Sequence, residues 1–245
     1  MKNDNLKKNN IVIFGGSGLI GSTISNELFK NNNIINFDLK KNANVPTVII
    51  KKINSNTIKY CLNYAKKKLK KIDVLIVCIY PKKYLPNNME TSKVKAKDYL
   101  NDIENHFGSF LEINLQFLNY FRKIKSGNII NFSSIYGSYN PRFEIYKNIK
   151  MNVPFSYAIS KNSIISMSKF FAKEYLKDNL KINTISPGGV FNKQNPTFLR
   201  RYLKFCRNKK MMGPDKIIPV VKMLVSKKSD FITGQDFIID DGFTL

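Results

Sequence analysis

The sequence predicts a doubly wound α/β fold, a buried parallel sheet flanked by helices on both faces. Three observations predict it. Seven short apolar runs rich in Ile and Val recur along the chain without polar alternation, the pattern of strands buried on both faces. Segments of helical periodicity separate most of them, as crossovers between parallel strands require. The first run ends in a glycine-rich turn that leads directly into a helical segment.

The elements follow in order. Strand Ile11–Phe14 closes on Gly15-Gly16-Ser17-Gly18, and a helix spans Leu19–Lys30. Strand Ile34–Phe37 ends at Asp38, and Val48–Ile50 forms the third strand. A helix over Thr57–Lys70 precedes strand Val74–Ile79, and one long helix covers Lys97–Arg122. Strand Asn128–Phe132 ends in the hydroxyls of Ser133 and Ser134. A helix over Ser156–Leu176 leads to the sixth strand, Ile182–Ile185, which closes on Ser186-Pro187-Gly188-Gly189-Val190. Helix Pro214–Leu224 and strand Phe237–Asp240 complete the series. No repeat or linker intervenes, so residues 10–245 are expected to form one domain and the Lys/Asn-rich residues 1–9 a flexible start.

Composition narrows the function. With 245 residues, 43% hydrophobic and 24% charged, the chain is not disordered, collagenous or a disulfide-stapled miniprotein. Its formal charge of +24 invites a nucleic-acid or membrane reading. Yet 36 of the basic residues are Lys and only 5 are Arg, and Lys, Asn and Ile make up 98 of the 245 positions. Codons rich in A and T account for that bias, and no recognition motif accompanies the scattered lysines. Neither nucleic acid nor membrane is expected as a partner. Cys61, Cys78 and Cys206 are odd in number and widely spaced, and no apolar stretch reaches the ~18 residues of a membrane span. A cytoplasmic protein without a metal centre is expected.

Two constellations carry chemistry. Around the first turn, Gly15, Ser17, Gly18, Leu19, Ile20 and Gly21 allow backbone and helix N-terminus to meet a pyrophosphate. Asp38, at the end of the second strand, accepts hydrogen bonds from ribose hydroxyls and repels a 2′-phosphate, favouring NAD over NADP, although Lys40 and Lys41 lie close by. In the second constellation, Tyr157 and Lys161 stand at (i, i+4) on one helix face, where an ammonium favours the phenolate and lets it exchange a proton. Ser134 ends a strand where it can hold a substrate oxygen, and Asn114 puts a costly amide inside an apolar helix.

Together these residues resemble the short-chain dehydrogenase/reductase family over residues 10–245, through the glycine turn, Asp38, Asn114, Ser134, Tyr157/Lys161, Pro187-Gly188 and the tail Ile232-Thr233-Gly234-Gln235…Asp240-Asp241-Gly242. The resemblance implies a single-domain Rossmann fold and hydride transfer between NAD(P) and a secondary alcohol or ketone. By it Tyr157 is the acid/base, Lys161 lowers its pKa and holds the nicotinamide ribose, and Ser134 orients the carbonyl. Asn114 supports a proton-relay water, and Pro187, Gly188 and Val190 border the nicotinamide. It also implies a homodimer or homotetramer through the helices carrying Tyr157 and Asn114. The chain departs from the family at Phe14, Lys52, Val77-Cys78-Ile79 and Asn192, and in its Gly-x-x-Gly-x-x-Gly spacing.

A narrower likeness, in Ser133-Ser134-Ile135-Tyr136-Gly137, Phe143-Glu144-Ile145-Tyr146 and Asp240-Asp241-Gly242-Phe243-Thr244-Leu245, is to the bacterial flagellin-modification protein A-like oxidoreductases of nonulosonate and other surface-sugar pathways. The scarce arginines sharpen it. Arg142, Arg200, Arg201 and Arg207 fall in two segments that border the substrate mouth in this fold, so Arg142, Arg200 and Arg201 are expected to bind an anionic sugar or nucleotide sugar. His106, two helical turns from Asn114, is expected at the surface or an interface. Two alternatives stay open: a catalytically idle binding or scaffold subunit, and a reductase of another carbonyl such as a 3-oxoacyl thioester.

Overall fold

The computed structural model describes residues 8–80 and 90–245; residues 1–7 of the expected flexible start lie outside the described residues. Seven strands form one parallel sheet: β1 (Asn10–Phe14), β2 (Asn33–Asp38), β3 (Thr47–Ile49), β4 (Val74–Val77), β5 (Gly127–Phe132), β6 (Leu180–Pro187) and β7 (Asp236–Ile239). Their spatial order is β3-β2-β1-β4-β5-β6-β7, so the winding reverses between β1 and β4. That switch point opens a crevice at the carboxyl ends of the strands, where ligands bind in sheets of this kind.

The helices are α1 (Leu19–Phe29), α2 (Ser55–Leu69), α3 (Ala96–Ile103), α4 (Ser109–Ile124), α5 (Phe155–Glu174), α6 (Pro196–Tyr202) and α7 (Ile218–Val225). Alternate strand residues feed two cores. Val12, Phe14 and Phe37 pack with Phe117 of α4 and Ile164 of α5 on one face. Ile11 and Ile13 pack with Ile24 of α1 and Val221 of α7 on the other. A third, smaller cluster unites Ile135, Ile145, Phe198, Tyr202 and Phe243 above the carboxyl edge.

Two departures from the expected elements matter for function. The long helix of Lys97–Arg122 is interrupted by a π turn over Glu104–Gly108, between α3 and α4. Helix α6 was not anticipated, although Asn195 caps it by accepting from the Thr197 N–H at 2.8 Å and Pro196 occupies its first turn.

Candidate active site

The glycine turn lies beside the switch point. Gly15 adopts φ +85°, and a Cβ there would collide with the Cys78 carbonyl at the end of β4. A Cβ on Gly21 would run into the Gly15 carbonyl, whereas one on Gly18 meets nothing nearer than 3.5 Å. Leu19 is exposed and Ile20 rests on the second core. Asp38 reaches back to this turn: one carboxylate oxygen accepts from the Ser17 N–H at 2.8 Å, and the other from the Leu39 N–H at 2.6 Å. The Lys40 N–H also lies 3.4 Å from that second oxygen, so of about four acceptor directions one stays open to a ribose hydroxyl. Ser17 Oγ is buried without a hydrogen-bond partner among the described residues. A buried donor beside a turn packed tightly at Gly15 and Gly21 and open at Gly18 fits a pyrophosphate.

Ser134, Tyr157 and Lys161 converge past the end of β5. Ser134 caps a short turn, its Oγ accepting from the Tyr136 N–H at 3.2 Å, and it shares a side-chain hydrogen bond with Tyr157. Burial raises the Tyr157 pKa, and the Ser134 bond opposes that rise. Lys161 is buried; its ammonium donates to the Phe132 carbonyl at 3.0 Å and lies 5.6 Å from the Tyr157 ring centre. Burial lowers its pKa to about 7.

Asn114 is fully committed. Its Nδ2 donates to the Phe110 carbonyl at 2.8 Å and to Asn131 Oδ1 at 3.0 Å, and its Oδ1 accepts from Asn131 Nδ2 at 2.9 Å. Asn131 also donates to Ser168, so this amide pair pins α4, β5 and α5 together beneath Tyr157. Pro187 ends β6, and Gly188 donates to the Ile239 carbonyl at 2.8 Å. Val190 bridges to Met212 and leans on the second core.

A cavity of about 290 Å³ opens against Ser134 and Tyr157, walled by Gly188 and Gly189 and by the rings of Tyr80, Tyr136, Tyr146 and Tyr202. No Lys, Arg, Asp or Glu is among its described lining residues. The segments carrying the arginines border the cavity through Tyr146 and Phe198, and no arginine is among the described lining residues. Arg142 donates to the carbonyls of Phe243 and Leu245 and stacks 4.2 Å from the Phe205 ring centre. Arg201 donates to the carbonyls of Ile145 and Lys147, and Arg200 is exposed on α6.

His106 is a correction. It is fully buried, with its ring 6.0 Å from that of Tyr157 and 6.3 Å from that of Tyr80. Burial, helped by the Lys161 ammonium, holds its pKa well below the usual value, so the imidazole is neutral. It lies in the π turn, whose one mark in the sequence is Gly108 inside a long helical pattern. The tyrosines went unassigned as well, although Tyr136 and Tyr146 stand inside the segments that carry the narrower likeness.

A doubly wound parallel sheet with a phosphate-ready turn and a buried Ser–Tyr–Lys group defines a nicotinamide-dinucleotide oxidoreductase. A family model described as enoyl-(acyl carrier protein) reductase matches residues 53–244. Post-translational flagellin modification protein A of Campylobacter coli is 31% identical over 192 residues, 78% of this chain and 75% of that protein. The 3-oxoacyl-[acyl-carrier-protein] reductase of Thermotoga maritima is 26% identical over 62% of this chain and 60% of its own. A short-chain dehydrogenase from Leptospira borgpetersenii, solved with bound NAD+, superposes with a TM-score of 0.88 at 25% identity, covering 100% of this chain and 97% of that one. The chain belongs to the short-chain dehydrogenase/reductase family, an NAD(P)-binding oxidoreductase family acting on small molecules. No described helix is long and apolar enough to cross a membrane.

Proposed function

We propose that this oxidoreductase uses NAD to interconvert a secondary alcohol and a ketone on a sugar destined for a bacterial surface glycan. The observation that carries the reading is the meeting of Ser134, Tyr157 and Lys161 at a cavity beside the switch point. Gly15, Ser17, Gly18, Leu19, Ile20 and Gly21 would receive the pyrophosphate, Asp38 the adenosine ribose and Lys161 the nicotinamide ribose. Pro187, Gly188 and Val190 would border the nicotinamide. The dinucleotide, when bound, supplies or accepts the hydride. Tyr157 exchanges the proton with the reacting oxygen, Ser134 holds that oxygen, and Asn114 braces the helix beneath. The Asp38 carboxylate supports NAD over NADP by repelling a 2′-phosphate.

The likeness to a protein of post-translational flagellin modification supports a surface-modification substrate. The charged group of an anionic sugar or nucleotide sugar would stay outside the cavity, whose described lining carries no ionic side chain. Exposed Phe155, Ile159 and Phe170 on α5 and Leu115 on α4 support a homodimer or homotetramer joined through these helices. A second reading, reduction of a 3-oxoacyl thioester, is favoured by the 26% identity to the Thermotoga reductase.

A turnover screen of nucleotide sugars, sugar phosphates, nonulosonates and acetoacetyl-CoA, each with NAD and NADP, tests the reading. Tyr157→Phe is expected to lower kcat on the accepted substrate at least ~100-fold while NADH still quenches or enhances fluorescence on binding. Wild-type turnover in that variant sinks the mechanism. Absence of any dinucleotide binding by the wild type would make the chain an idle scaffold instead.

A further inference from the structure

Several of the cavity's polar groups are held by neighbouring backbone and keep donors to spare. The Gln194 amide donates to the Val190 carbonyl at 2.6 Å and accepts from the Asn192 N–H at 2.8 Å. The Asn152 oxygen accepts from the Val153 N–H at 2.8 Å. Tyr202 Oη accepts from the Gly189 N–H at 2.7 Å. The hydroxyls of Tyr136 and Tyr146 are bonded to each other: they lie 2.7 Å apart, either one donating. Two phenols carry two protons, and their mutual bond uses one. The pair thus keeps a free O–H donor next to unused lone pairs, the complement of an alcohol, which both donates and accepts.

Position adds to that chemistry. The Tyr136 N–H bonds the Ser134 hydroxyl at 3.2 Å, so the pair begins two residues from the proposed oxygen-holding group. Both phenols line the same cavity as Tyr157. Burial pushes the Tyr136 hydroxyl up to about 12 and raises that of Tyr146 too, so both stay neutral through physiological pH. With no ionic side chain in the described lining, recognition inside the cavity falls to neutral donors and to ring faces.

We infer that the Tyr136–Tyr146 hydroxyl pair is a specificity element that reads a second hydroxyl on the ring bearing the reacting carbon, so that the cavity selects a polyol ring over a mono-alcohol or an acyl chain. This rests on the proposed hydride transfer and names what the substrate must carry besides the reacting oxygen. Tyr136 and Tyr146 position the ring without exchanging the proton.

Four ring alcohols probe it: cyclohexanol, cis- and trans-1,2-cyclohexanediol and cis-1,3-cyclohexanediol. Each is oxidised by NAD+, the carbinol carbon losing a hydride to form NADH and the hydroxyl losing a proton, and NADH absorbance reads kcat/KM. In the wild type at least one diol is expected to exceed cyclohexanol by 10-fold or more. In Tyr136→Phe/Tyr146→Phe that ratio is expected to fall below threefold, chiefly through KM, and each single variant is expected to fall between. The phenylalanines keep both rings, and thermal unfolding within a few degrees of wild type verifies the fold. A wild-type ratio near one, or a double variant that keeps the diol preference, overturns the inference. So does NADH binding without turnover of any of the four probes, which leaves the proposed function to its own screen. If the wild type fails to bind NADH, both fall together.

Discussion

Lys161 concentrates the conflict between stability and chemistry in one side chain. A buried ammonium facing a single carbonyl and two ring faces, Phe110 at 5.4 Å and Tyr157 at 5.6 Å, is poorly solvated. Burial brings its pKa from 10.5 to about 7. The unfolded chain therefore binds more protons than the folded one between pH about 7 and 10.5, so this residue's contribution to stability rises with pH across that window and is lowest below it. Lys161→Met is expected to stabilise the dinucleotide-free protein near pH 6 by on the order of 3 kcal/mol, taking ~1.4 kcal/mol per unit and subtracting the lost Phe132 bond. The gain should shrink toward pH 10 while turnover falls at least ~100-fold. Thermal unfolding at the two pH values checks it, and a variant less stable than wild type at pH 6 refutes it.

At the scale of elements, α1 and its turn separate two kinds of glycine. The Gly21 Cα faces the Gly15 carbonyl, so a methyl group there forces the turn apart. Gly18, at φ −74° with open space around it, needs no such freedom. Gly21→Ala is expected to weaken NADH binding at least 10-fold and to lower Tm, whereas Gly18→Ala keeps Tm within ~2 °C; a fluorescence titration and a melting curve distinguish them. The same elements mark how far the sequence could be read. All seven strands stand where Ile- and Val-rich runs predict, with ends displaced by at most a few residues, because burial on both faces leaves a compositional trace. Tyr157, Lys161 and Ser134 were legible because their relation is local, one helix face and one strand end. The break of the long helix at Glu104–Gly108 was not, since a single glycine, Gly108, is tolerated within a helix and does not by itself specify an i→i+5 turn. His106 was misplaced for that reason. Helix α6 did carry a signal, Asn195-Pro196, which the lack of a long periodic stretch outweighed.

Over the whole molecule, the two large cores and the small third cluster hold different parts of the site. The cores fix the glycine turn, Asn114 and Tyr157 against the sheet. The third cluster builds the substrate wall, with Phe243 stacked 4.2 Å from Tyr202, whose hydroxyl in turn holds Gly189. Arg142 ties that wall to the tail by bonding the Phe243 and Leu245 carbonyls. Arg142→Met is expected to raise KM for the accepted substrate several-fold with an unchanged NADH Kd. It should also speed hydrogen exchange at the Gly189 and Phe243 amides at least ~10-fold and leave that of Phe132 alone; equal acceleration at all three would count against the division.

The Arg142–Phe243 contact joins residues 101 positions apart. Closing so long a loop costs roughly 4 kcal/mol of chain entropy before any contact in the wall repays it. The Glu27–Lys222 pair, which joins α1 to α7, closes a longer loop still, 195 positions. The substrate wall and the helix behind the glycine turn thus both depend on the last third of the chain, and a chain stalled short of it would hold neither in place.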